Sequence, residues 1–446
     1  MLVDLLAEAT GAPDAVALVS DDEQWTYAEL DLVVSERADT LRGEGVQRGR
    51  IVPVTMDATA SAVIELLALW RASVTPAPFN SRLTEPERDA AELALVGGGC
   101  EAQAVLWTSG TAGRPRGVAI SYQALAASSR AAQERLDLGP EDVWLASLSP
   151  GHVGGLALIT RSLLLGGRLV AVGPVDAGRT SELIDGTNLP AGTDAPVTHI
   201  SVVPTQLLRL LDVRSGSPPP ESFRCALVGG ARAPMRLVQS ALEAGWPLGL
   251  TYGLTEATSQ AATAPPALTI RKPGTVGRSL DGVDLRIEDD NEILVRGATL
   301  AMGYVGGGAE DIVDIEGWHH TGDLGHFDDD GDLWVTGRRS DRIVTGGVTV
   351  DATEVEEAVR SFDSVADACV VGLPDAEWGE RVAACVVPAE TGLDLDDLSA
   401  FLRECLSGPK LPRVFHVAEA LPRNANGKVD RSAVRDMVGG AHRRPS

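Results

Sequence analysis

Trp107-Thr-Ser-Gly-Thr-Ala-Gly-Arg-Pro-Arg-Gly117 runs on from the apolar segment 104–108, whose β-branched and aromatic residues predict a strand. Three glycines, three hydroxyls and two arginines in one loop turn backbone N–H groups and side-chain donors toward a single point. Phosphate oxygens suit such a point, and Arg114 and Arg116 supply charge. No Lys-Ser or Lys-Thr follows the last glycine, so this is not a Walker A loop. Outward from it, short apolar runs at 168–172, 199–203 and 225–228 alternate with helical stretches such as 61–72. Each run is followed by Gly, Pro, Ser or Thr. The pattern predicts an α/β architecture with largely parallel sheets and ligand sites at strand C-termini.

The texture changes after about residue 265. Alternating segments 283–287 and 292–296 flank an Asp-Asp-Asn turn, and 325–327 with 332–336 flank Asp328-Asp-Asp-Gly331, so two hairpins are expected. The second turn lacks the further ligands and terminal Glu of an EF-hand and reads as a turn, not a calcium loop. From about 341 a small α+β unit follows: helix 352–360, strands 366–371 and 381–387, helix 395–405.

A chain of 446 residues implies two or three domains. Its 38 basic and 63 acidic side chains leave a charge of -25, which repels nucleic acid and anionic membranes and resembles the balance of salt-accumulating or high-GC organisms. Only three of the basic residues are lysines: Lys272, Lys410 and Lys428. Lys428, in Leu421-Pro-Arg-Asn-Ala-Asn-Gly-Lys428-Val-Asp-Arg431 beside an Asn-Gly turn, marks a place where a compact point charge is needed. Cys100, Cys225, Cys369, Cys385 and Cys405 form no C-x-x-C pair, and buried reduced thiols are expected. There is no signal-peptide pattern, and the nearest apolar run, 156–165, is interrupted by Arg161. A cytoplasmic protein without membrane insertion is the expectation, with self-association left open.

Further blocks stand in order with the loop: Trp25-Thr-Tyr-Ala-Glu-Leu30, Tyr252-Gly-Leu-Thr-Glu256, Thr321-Gly-Asp323, Gly337-Arg-Arg-Ser-Asp341, Gly346-Gly-Val-Thr-Val350 and the Lys428 run. Together they closely resemble the adenylate-forming enzymes, the superfamily of acyl-CoA synthetases, luciferases and peptide-synthetase adenylation domains, over almost the whole chain. The resemblance implies a large N-terminal domain, 1–338, of layered sheets and helices with a β-rich subdomain, and a small mobile α+β C-terminal domain, 339–446, carrying Lys428. It implies ATP, Mg²⁺ and coenzyme A. Thr108, Ser109, Gly110, Thr111, Gly113 and Arg116 would cradle phosphates, with Gly230, Ala231, Tyr252 and Gly253 completing the nucleotide site. Thr255 would lie near the α-phosphate and Glu256 would offer Mg²⁺ a hard oxygen. Asp323 can accept both ribose hydroxyls, and Arg338 can donate to the sugar or its phosphate. Lys428 would bridge the substrate carboxylate and the α-phosphate; rotation about 338–341 would then bring Gly346 and Gly347 to the pantetheine thiol. The chain departs from the family pattern at Arg116, usually lysine, and at Thr349 and Ala352, commonly Asn and Pro.

Ser149-Pro-Gly-His-Val-Gly-Gly-Leu-Ala157 with the following Arg161, Ser201-Val-Val-Pro-Thr-Gln206, and the Ala257-Thr-Ser-Gln260 tail resemble the o-succinylbenzoate-CoA ligases of menaquinone synthesis. On that resemblance His152, Gly229, Ser259 and Gln260 contact the acid, with Gly154, Gly155, Gly229 and Gly230 leaving room for a flat aromatic ring or simply allowing close packing. The partners are then a small carboxylic acid, ATP and CoA. Another acyl- or aryl-CoA synthetase, a carrier-loading adenylation domain and a catalytically silent nucleotide-binding regulator are the alternatives.

Overall fold

The computed structural model describes residues 2–81, 102–109, 115–193, 195–305, 312–389, 392–424 and 428–442, with isolated positions between 85 and 95. A nine-stranded sheet forms the centre, in the order Arg278–Ser279, Ser259–Ala264, Leu248–Leu254, Cys225–Val228, His199–Val202, Val143–Leu145, Arg168–Val170, Val16–Val19, Gln24–Thr26. Its middle strands pair parallel and its two ends antiparallel. Parallel strands covered on both faces need continuous apolar runs, and Cys225–Val228 is buried throughout.

The Trp25 block does structural work. Thr26 caps helix Tyr27–Gly43: its Oγ1 accepts from the Glu29 N–H at 3.2 Å, while Glu29 Oε2 accepts from the Thr26 N–H at 2.9 Å. Such a box satisfies two otherwise orphaned donors and contributes about 1 kcal/mol. The buried Tyr27 hydroxyl faces the carbonyls of Leu163 and Gly167 and ties the helix to the sheet.

One strand departs from the parallel expectation. Ala104–Ser109 pairs antiparallel with Pro115–Ile120, in a three-stranded sheet completed by Gly303–Val305. The phosphate loop thus links the arms of a hairpin, because an apolar run does not reveal which neighbour it will pair with. The two later hairpins form as expected in a four-stranded sheet of Val283–Ile287, Glu292–Gly297, His319–Phe327 and Leu333–Arg338. At the acidic turn Lys272 Nζ takes the cation's place, lying 2.9, 2.5 and 2.8 Å from Asp328, Asp330 and Asp332.

Beyond this large α/β domain lies a smaller five-stranded α+β unit. Alternation along Val365–Asp375 sends Val370 toward helices Ala352–Arg360 and Leu395–Cys405, and Cys369 and Val371 toward Arg431–His442. Asp351 and Asp394 cap the first two helices, which fixes their starts. Arg232–Glu357 and Arg236–Asp363, both at 3.0 Å, join the two domains. Cys225, Cys369 and Cys385 are buried as expected, but Cys405, at the end of an amphipathic helix, is exposed; Cys100 lies outside the described residues. Among the described residues no helix is long and apolar enough to cross a membrane.

Candidate active site

Asp323 stands opposite Arg338 in the antiparallel register, and Arg338 Nε donates to Asp323 Oδ1 at 2.7 Å. From the central sheet the Tyr252 hydroxyl donates to Asp323 Oδ2 at 2.9 Å. Burial, and then the adjacent carboxylate, push the Tyr252 phenol well above its ordinary value, so it remains a neutral donor. The charge of Asp323 in turn raises the pKa of Arg338 against the pull of burial. Gly253 is obligatory here: a Cβ would stand 1.6 Å from the Ser259 carbonyl oxygen. The bulge at Tyr252/Gly253 leads into the short helical turn Thr255–Ala257, which carries Thr255 and Glu256.

Glu256 meets the phosphate hairpin through a residue the sequence reading missed. Tyr304 donates its hydroxyl to Glu256 Oε1 at 3.2 Å, and the Arg116 guanidinium lies 5.4 Å from the centroid of the Tyr304 ring. Burial, with Glu256 second, pushes this phenol up to about 12. A signal was available in the scarcity of tyrosine, four in the chain, but not its direction. Thr108 pairs with Arg116 in the hairpin register. Ser109 is described in its backbone only, and Gly110, Thr111, Gly113 and Arg114 lie outside the described residues. The single carboxylate of Glu256 fits Mg²⁺, which takes one or two carboxylates and fills its other positions with phosphate oxygens and water.

Lys428 arrives from the small domain. Its backbone N–H donates to Asn424 Oδ1 at 3.0 Å and its carbonyl accepts from the Asn424 N–H at 2.8 Å, closing the turn that presents the side chain. The side chain is exposed to water. Desolvation, and then the charge of Arg338, lower its pKa, while Asp323 and Glu256 pull the other way. The fold therefore brings Lys428 within electrostatic range of Glu256, Asp323 and Arg338. Two cations against partly committed carboxylates make a field that an entering polyanion completes.

On the acid side, Gln260 Nε2 donates to Thr263 Oγ1 at 2.8 Å, and Gln260 Oε1 accepts from Arg161 Nη1 at 2.5 Å. Arg161, only 3% exposed, lies 4.5 Å over the Trp144 ring and forms no ion pair among the described residues. Burial pushes its pKa down to about 10. Gly229 serves close packing, since a Cβ would lie 2.6 Å from Thr251 Cγ2; at Gly155 one would lie 2.1 Å from the Ser149 carbonyl oxygen. Gly230 follows with φ +76°, then Ala231 on the surface. Half-buried Ser259 has φ +91°. His152 heads helix Val153–Leu164, with its Nε2 2.9 Å from Asn80 Nδ2. Arg161 lies in the last turn of that helix, about 13 Å further along its axis at 1.5 Å per residue.

Gly346 and Gly347 form the exposed two-residue turn of hairpin Arg342–Thr345 and Val348–Asp351, with φ of +58° and +80°. A Cβ on Gly346 would strike the Trp378 ring at 2.7 Å. Thr349 sits within the second strand, and Ala352 opens the following helix, where it substitutes for proline without strain.

A layered α/β domain, a smaller α+β domain and a cleft of phosphate-seeking groups between them define a nucleotide-dependent ligase. The chain belongs to the AMP-binding enzyme family, whose pattern matches residues 5–92 and 101–305, with the family's C-terminal domain at 354–428. It is 33% identical to a 2-succinylbenzoate–CoA ligase of Bacillus cereus, over 97% of this chain and 98% of that one. In structure it resembles the o-succinylbenzoate CoA synthetase of Bacillus subtilis in complex with its acyl-adenylate intermediate: TM-score 0.87, 28% identity, 97% of each chain covered. The same enzyme with ATP and magnesium ion matches at TM-score 0.85 and 28% identity, over 98% of each chain.

Proposed function

We propose that this chain is an o-succinylbenzoate-CoA ligase, which activates the acid with ATP and transfers it to coenzyme A. The observation that carries the reading is the gathering of Lys428, Glu256 and the bonded pair Arg338–Asp323 within electrostatic range of one another. Attack of a carboxylate on the α-phosphorus joins two anions, so charge neutralisation and alignment dominate the barrier. Asp323 receives the ribose hydroxyls, Arg116 and Thr108 face the phosphates, and Thr255 lies near the α-phosphate. Lys428 bridges it to the acid. Glu256, steadied by Tyr304, would hold Mg²⁺, which neutralises phosphate charge when bound. The products are an acyl-adenylate and pyrophosphate.

In the second half-reaction the small domain, 339–446, turns about 338–341 and withdraws Lys428. Gly346 and Gly347 then line the approach of the pantetheine thiol, which attacks the mixed anhydride and displaces AMP. The exposed position of that turn supports such a reorientation.

The aromatic dicarboxylate is supported by the relatives and by Arg161, a buried cation beside Gln260 without a carboxylate of its own. Burying an uncompensated charge costs several kcal/mol, and an anionic substrate arm would supply the counter-charge. Gln260 and Arg161 address that arm, with His152 and Ser259 at the mouth and Gly229 and Gly230 beside the ring. A cytoplasmic setting, where ATP and CoA are held, suits the reaction. Pyrophosphate release and CoA thioester formation, scored over o-succinylbenzoate, benzoate and octanoate, test the reading; a better kcat/KM for benzoate or octanoate overturns the acid assignment.

A further inference from the structure

Glu292 is a buried carboxylate that the reaction above does not use. It opens strand Glu292–Gly297 with 4% exposure, opposite Leu324. Its oxygens divide their partners. Oε1 accepts from the Gly322 N–H at 2.8 Å, and Oε2 lies 3.0 Å from Arg339 Nη2 and 3.4 Å from His320 Nδ1. Gly322 immediately precedes Asp323, and Arg339 immediately follows Arg338. One carboxylate therefore holds the chain neighbours of both members of the Asp323–Arg338 pair.

The local backbone shows why such a hold matters. Gly322 has φ +71°, so the turn into Asp323 is one that a glycine can leave easily. The Asp323 N–H is held by Thr321 Oγ1 at 3.0 Å, and Thr321 Oγ1 donates to the Ile293 carbonyl at 2.7 Å, next to Glu292. On the other strand Arg339 reaches Asp290 as well as Glu292. Keeping a desolvated carboxylate at the start of a strand costs stability that an apolar residue would not. Its placement gives alignment of two facing side chains in return.

We propose that Glu292 is a positioning residue of the nucleotide site, fixing the Asp323 carboxylate against the ribose hydroxyls through Gly322 and Arg339. The inference rests on the ribose reading of Asp323. It predicts an effect on how strongly the enzyme feels the ribose hydroxyls, which a role in packing alone would not produce.

The experiment compares kcat/KM for ATP and for 2′,3′-dideoxy-ATP by pyrophosphate release in the full-length enzyme. Asp323→Ala should abolish the preference for ATP. Glu292→Ala and Glu292→Asp, whose shorter side chains do not reach Gly322, should reduce the ATP to dideoxy-ATP ratio at least about fivefold. Glu292→Gln, whose amide oxygen still accepts from Gly322 but whose NH2 cannot accept from Arg339, should restore part of it. A parallel fall for both nucleotides, leaving the ratio unchanged, would overturn the proposal, and Glu292→Asp carries the test if the alanine variant does not fold. If Asp323→Ala itself leaves the ratio intact, the ribose reading fails and takes this inference with it; if Asp323→Ala collapses the ratio and the Glu292 variants do not, only the inference fails.

Discussion

Arg161 donates to Gln260 at 2.5 Å, yet no carboxylate among the described residues pairs with its buried guanidinium. A buried cation in that state weakens the fold unless a ligand completes it. Arg161→Met keeps most of the volume and removes the charge, a change that is neutral or stabilising when the charge lacks a partner. The expected outcome is a kcat/KM for o-succinylbenzoate at least about a hundredfold lower, with a melting temperature equal to or above that of the wild type. A melting temperature that collapses with activity would make Arg161 a structural residue.

His152 stands at the other end of the same helix. Its Nε2 is engaged with Asn80 at 2.9 Å. His152→Ala should erase most of the preference for o-succinylbenzoate over benzoate while leaving the ATP affinity of the enzyme intact. Loss of ATP binding in this variant would move His152 out of the acid site.

Lys428 should serve one half-reaction only. It comes within electrostatic range of Glu256, Asp323 and Arg338 from the small domain, and the Gly346-Gly347 turn is exposed. Lys428→Ala should slow formation of the acyl-adenylate at least about a hundredfold, as loss of a transition-state charge contact does. Given preformed adenylate and CoA, the variant should still make thioester. Equal loss in both halves would remove the assigned role.

Where local signals sufficed, the sequence was legible to the residue. Helices Ala352–Arg360 and Leu395–Cys405 begin where Asp351 and Asp394 cap them, and both later hairpins lie where alternation and turn residues predict. Lysine scarcity was informative but not selective. Lys272 is held by three aspartates and Lys410 by Glu354 at 2.6 and 2.7 Å, so all three lysines have specific work and one faces the cleft. Tyr304, Glu292 and the isolation of Arg161 were not legible, because each role depends on partners 30 to 100 residues away in sequence. The antiparallel pairing of Ala104–Ser109 was hidden for a different reason: its partner, Pro115–Ile120, is close in sequence, but an apolar run does not reveal which neighbour it will pair with.

His320 predicts a pH dependence of stability. Desolvation pulls its pKa down, but Asp314 at 3.1 Å and Glu292 at 3.4 Å outweigh it and the net shift is upward. A folded pKa above the unfolded value of about 6.5 means protonated His320 favours the folded state. That contribution is whole below about pH 6.5 and is lost as pH rises through the folded pKa. His320→Asn should therefore lower the melting temperature more at about pH 6 than at about pH 8.5. A difference from wild type that is constant across that range would show that the ion pairs contribute nothing.

Salt sets the remaining balance. The chain carries 63 acidic against 38 basic side chains, and the surface pairs Arg232–Glu357 and Arg236–Asp363 already engage part of the positive charge. Raising salt weakens those attractions and the repulsion among the excess acids together, since the Debye length falls from about 10 Å at 0.1 M to about 3 Å at 1 M. Exposed ion pairs contribute about 0–1 kcal/mol each, whereas self-repulsion from a net charge of -25 sums over the whole surface, so relief of repulsion should win. The melting temperature should be higher in molar KCl than in dilute buffer. A flat or falling titration would mean that the paired arginines already neutralise the field and that the acids serve solubility alone.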